Sequence, residues 1–132
     1  MGVVRSGRPE VLNGGSQLDR RVRWVHVADT EGIGALIEGG EVVLSTAAGF
    51  RTSATRVRRF LQGLEDGGAT AAFIELVDAQ GMPDRPALAA AREAVQGLTL
   101  PVVVLRRRIK FVRVTHAAHR LLIGTQLARV ER

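Results

Sequence analysis

The sequence predicts an α/β domain: a small, mainly parallel sheet flanked by helices, with a long C-terminal helix. Three observations predict it. Short β-branched or apolar runs recur along the chain as "VRWVHV", "EVVLS", "TAAFIEL" and "LPVVVL". Segments of helical period separate these runs, and the joining loops are short and glycine-rich, which is the sequence form of right-handed β-α-β units. Finally, 132 residues with 45% hydrophobic content are enough for one domain with its own core.

Residues 1–21 contain Gly7, Pro9, Gly14 and Gly15 and no sustained period. An arm is expected there, flexible over residues 1–10, with a short strand or turn around Val11 and Leu12. Val22 to Val27 alternate and are β-branched, so they read as a strand. Asp29 or Thr30 can cap a short helix whose apolar face is Ile33, Leu36 and Ile37, and Gly39 with Gly40 stops it. "EVVLS" is an apolar run between turn signals, as expected of a strand covered on both faces. Ser53 can cap the next helix, in which Val57, Phe60, Leu61 and Leu64 share a face while Arg56, Arg58 and Arg59 point away. Gly67 and Gly68 supply its left-handed end. Thr70 to Leu76 form another strand, followed by a loop and a helix from about Pro86 to Gln96, with proline in its first turn and Gly97 just beyond. Pro101 introduces the last strand.

From Phe111 to Arg132 the pattern changes. Phe111, Val114, Ala118, Leu121, Leu122, Thr125 and Ala128 fall on one stripe with no stop signal after them. The domain proper is therefore expected over 11–110. Residues 111–132 are expected to form a helix serving as a dimer seam or as a linker to a further domain.

Composition narrows the function. With no cysteine, the chain has no disulfide, thiol chemistry or Cys-ligated metal. No apolar leader opens the sequence, and no run approaches the length of a membrane helix. A cytoplasmic protein without a membrane partner is expected, and "MGVVRS" is read as a chance match to the acylation pattern. The net charge of +6 raises the possibility of nucleic-acid contact through Arg106, Arg107, Arg108, Lys110 and Arg113. The run lacks an aromatic-interleaved stacking pattern or a recognisable reading helix, and the near-exclusive use of arginine fits a GC-rich bacterial genome.

The residues that carry a binding signal lie where the second clear strand meets its helix. "LSTAAGFRTS" gives the hydroxyls of Ser45 and Thr46, a permissive Gly49, Arg51 and a capped helix start, at the carboxyl end of a parallel strand where ligands commonly bind. An anion- or amide-recognising pocket is expected there; the alternative is that Ala47, Ala48 and Gly49 are small because the chain turns tightly under a helix. His26, at the end of the preceding strand, can hydrogen-bond such a ligand or cap strand-end backbone. Trp24, the single tryptophan, reads as a packing residue. His116 and His119 have a chelating spacing but no third ligand, so neither a metal nor another cofactor is expected. The carboxylates Glu65, Asp66, Glu75, Asp78 and Glu93 form no acid-base or nucleophile arrangement, and no enzyme is expected.

Taken together, "GGSQLDRRVRWVHVAD", "LIEGGEVVLSTAAGF", "FLQGLEDGGATAAFIEL", "LTLPVVVL" and "FVRVTHAAHRLL" resemble the amino-terminal domain of the PucR-type purine catabolism regulators over about residues 11–125. "RVRWVHV" and "EGGEVVLST" are the most specific parts. The resemblance implies a bacterial transcription regulator in which this domain senses a small-molecule effector, while a separate helix-turn-helix domain binds DNA. Such a chain would be the sensor half, dimeric through its C-terminal helix. Two departures bear on the effector: the family tends to have Thr-Thr-Gly where this chain has Ser45, Thr46, Ala47 and Ala48, and "RRRIKF" replaces a proline-and-acid loop. A dimerisation module without ligand, and nucleic-acid contact by the arginine run, are the competing readings.

Overall fold

A computed structural model describes residues 7–13, 24–28 and 31–109. In chain order the elements are β1 (Pro9–Asn13), β2 (Trp24–Val27), a 3-10 helix η1 (Glu31–Leu36), β3 (Glu41–Ser45), α1 (Ala54–Asp66), β4 (Ala71–Glu75), α2 (Arg85–Ala94) and β5 (Val102–Leu105). The strands form one sheet in the order β1-β5-β4-β3-β2. β2 to β5 run parallel, and β1 closes the far edge antiparallel to β5. The sheet is thus mixed, and β1 begins at Pro9, inside the segment expected to be a flexible arm.

Because consecutive parallel strands are neighbours, crossovers of one hand must all pass over the same face. η1, α1 and α2 do so. Val43, Ala72, Ile74, Val102 and Val104 point into that face and meet Val57, Phe60, Leu61 and Leu64 of α1 and Ala87, Leu88, Ala91 and Ala94 of α2. The opposite face carries a second cluster of Val25, Leu44, Val103 and Leu105, on which Ile109 packs. This accounts for the nearly unbroken apolar runs of β3 and β5, which are buried on both sides.

The helix ends follow local chemistry. Ser53 caps α1 by accepting the Arg56 N–H at 3.2 Å, and Asp84 caps α2 by accepting that of Ala87 at 3.2 Å. Gly67 stays right-handed and Gly68 takes the left-handed turn, at φ +86°. The short helix around Ile33 is 3-10 rather than α, since Gly32 and Gly34 are poor helix formers and only six residues are available. Gly34 is there for contact: a Cβ on it would lie 2.5 Å from the Gly63 carbonyl carbon of α1. The expected C-terminal helix, residues 111–132, lies outside the described residues, as do His116, His119, Lys110 and Arg113.

Candidate functional site

The turn from β3 into α1 contains most of the residues that the sequence singles out. Ser45 ends β3 fully buried, and its Oγ accepts the Ala47 N–H at 2.9 Å, bending the chain back on itself. Ala47 follows with φ +52° and its methyl buried; Gly49 has φ +85°. The turn closes through Phe50 N–H to the Ala47 carbonyl and Ser53 N–H to the Phe50 carbonyl, both at 3.1 Å. Phe50 then anchors the turn inward, its ring 5.4 Å from that of Phe60.

Two kinds of surface result. Ala47 is small because it is buried in a left-handed conformation that a larger side chain tolerates poorly. Ala48 and Gly49 are exposed, and the space where a Gly49 Cβ would stand is open to 4 Å. The tight-turn explanation therefore accounts for position 47, while positions 48 and 49 leave the backbone approachable. Thr46, between Ser45 and Ala47, is half-buried and already engaged in an interaction within the fold.

Arg51 points away from this opening. Its guanidinium donates to the Val77 carbonyl at 2.7 Å and the Glu75 carbonyl at 2.6 Å, and pairs with Asp84 at 3.4 Å. It ties the α1 entry to the end of β4 and to the α2 cap; its Nε is buried without a partner. Ser45, Thr46 and Gly49 are thus brought together on one turn, whereas Arg51 shares the loop but is committed to the neighbouring one. His26 is exposed on β2, in register with Val43, so it lies one strand over and two residues behind the level of Ser45.

Arg56 was not expected near the site. From the first turn of α1 it donates to the Gly49 carbonyl at 3.1 Å and stands 5.7 Å over the Phe50 ring. Helical periodicity places it correctly on the outer face but gives no sign of its reach back to the turn. Asp84, which caps α2 and pairs with Arg51, is a second residue that the sequence reading did not single out. The basic run is partly tied down: Arg106 Nε donates to the Arg8 carbonyl and Arg108 to that of Asp78, while the backbone N–H groups of Arg106 and Arg107 share the Gly7 carbonyl.

The sheet lacks the crevice of a doubly wound fold. Ligand sites in open sheets favour the point where strand order reverses and successive connections part to opposite faces. From β2 to β5 there is no reversal. Among the described residues no group of three or more His, Cys, Asp or Glu is arranged to hold a metal ion, and no helix is long and apolar enough to cross a membrane.

Comparison with known families matches residues 2–122 to the purine catabolism regulatory protein-like family. No curated protein and no solved structure matches the chain.

Proposed function

The chain belongs to the purine catabolism regulatory protein-like family, a family of regulators rather than enzymes, and from that premise we propose that it is the small-molecule-sensing part of a bacterial transcription regulator. The effector in this reading is a purine-degradation intermediate or a related nitrogen-rich metabolite, met in the cytoplasm. The observation that carries it is the β3–α1 turn, with Ala48 and Gly49 exposed and half-buried Thr46 beside them, while Ser45, fully buried, shapes the turn from within instead of touching a ligand. A planar, amide-rich ligand suits such a surface, since backbone N–H and carbonyl groups can read it without a dedicated charge. Arg51 contributes by fixing the loop, and His26 marks the far limit of the contact area.

The output in this reading passes through residues 111–132 to a partner copy and to a helix-turn-helix domain that makes the DNA contact. An effector shifts that arrangement only by binding one form more tightly than the other. A thermal-shift screen against urate, xanthine, hypoxanthine, guanine, allantoin and allantoate, with nucleotides as controls, tests the proposal. A ligand at about 100 times its dissociation constant adds about 2.7 kcal/mol. A selective rise in Tm supports sensing, and a flat response across the panel removes the purine reading.

A further inference from the structure

The two edges of the sheet differ. β1, at one edge, opens with Pro9, shifts register between Val11 and Asn13, and is held by an ion pair from Glu10 to Arg92 and by Asn13 donating to the Leu98 and Leu100 carbonyls. Proline, irregular pairing and charge are the devices by which proteins close an edge to other strands. β2, at the other edge, has none of them. It is the unbroken stretch Trp24–Val25–His26–Val27, in regular register with β3, and it is the last strand of the sheet on that side among the described residues.

Backbone phase determines what that side offers. In a parallel ladder, alternate residues turn both backbone groups toward the partner strand. Ala28 donates its N–H to the Leu44 carbonyl, which puts His26 in the same phase and directs the N–H and C=O of Val25 and Val27 outward. On the same strand the side chains of Trp24, at 46%, and Val27, at 52%, are apolar and exposed.

We propose that the β2 edge pairs antiparallel with the β2 edge of a second copy of this chain, making one sheet continuous across a two-fold axis. The segment is self-complementary in one register. With the axis between the two His26 residues, Val25 faces Val27 of the other copy, and every outward N–H and carbonyl of Val25 and Val27 is used in hydrogen-bonded pairs. Val25 already belongs to the apolar cluster on the sheet's second face, and Val27 shares that face through its register with Leu44. The cross-strand valine pairs extend this cluster over a side chain that is otherwise half exposed. Since the β1 edge is blunted, pairing stops at two copies instead of running on into a fibre. Four residues per copy is a short contact, at the small end of interface sizes, so the dimer is reversible and concentration-dependent. This inference stands independently of any effector at the β3–α1 turn.

Sedimentation velocity on the full chain over roughly 1 to 300 μM tests it, a range chosen to bracket weak association. Two variants read the edge without touching the core. Val27→Pro removes only an outward N–H, which proline tolerates on an edge strand. His26→Asp sets two carboxylates directly opposite each other across the axis. A monomer-dimer equilibrium is expected, with the dissociation constant raised roughly tenfold or more by Val27→Pro, the effect of losing backbone hydrogen bonds, and raised by His26→Asp but not by His26→Asn. A monomer at every concentration overturns the proposal. So does self-association that is equal in the parent and both variants, since it then uses another surface, such as the stripe from Phe111 to Ala128.

Discussion

Ala47 shows how one methyl group can be decided by two opposing terms. Its φ of +52° costs on the order of 1 kcal/mol relative to glycine, while burying its methyl returns about 0.8 kcal/mol. Ala47→Gly is therefore expected to change stability by less than about 0.5 kcal/mol, because the two terms nearly cancel. Ala47→Val, β-branched and too large for the site, is expected to lose more than about 2 kcal/mol. Urea unfolding of both variants checks the pair. Arg51 was legible as a charged residue near the turn, but its target was not, because carbonyls at the end of β4 leave no mark in a sequence. Arg51→Ala leaves the Glu75 and Val77 carbonyls without their donor and is expected to cost about 1–3 kcal/mol. Glu65 adds a pH dependence. Partial burial acts to raise its pKa, but the Thr99 hydroxyl, the Thr99 and Leu100 N–H groups and Gln62 outweigh it and hold the carboxyl below its ordinary value. A carboxylate with a lowered folded-state pKa stabilises the fold fully above its unfolded pKa, and the contribution is lost as pH falls through the folded one. Glu65→Gln is expected to flatten the acid side of the stability-pH curve and leave the neutral and alkaline side parallel to the parent's.

Among the elements, the strands and the two α-helices were readable because their signals are local. β-branched runs, Ser53 ahead of an apolar periodicity, and Pro86 followed by Gly97 each state a boundary within a few residues. η1 was less readable. Ile33 and Ile37 face the core as expected, but Leu36, expected on the same face, is exposed, and the helix type depends on Gly34 lying against Gly63, a contact between segments about thirty residues apart. That contact predicts an asymmetry between two glycines of one short element. Gly34→Ala pushes a methyl into α1 backbone and is expected to destabilise by more than about 2 kcal/mol, whereas Gly32→Ala, with nothing within 4 Å, stays within about 0.5 kcal/mol of the parent. Thermal unfolding of the two variants side by side reads the difference.

At the scale of the whole molecule, repeated β-α units made a mainly parallel sheet foreseeable, but strand order was not, because order is set by which edges the core leaves free. β1 joining β5 closes one edge, and the run from β2 to β5 puts every described helix on one face. The consequence for function is direct. Without a reversal in strand order the described strands open no crevice between diverging connections, which is why the proposed recognition is placed at the β3–α1 turn. The sequence resemblance and the family match agree on the regulator family, while the turn carries Ala47 and Ala48 between Thr46 and Gly49. Calorimetric titration of the best compound from the purine panel into the parent and into Thr46→Arg decides whether an effector binds at this turn. Saturable one-to-one binding to the parent is expected, with at least about tenfold weaker binding, or about 1.4 kcal/mol, to a variant that still folds cooperatively. Equal affinity in a folded Thr46→Arg would contradict the site, and an absence of binding by every compound would contradict the sensor itself.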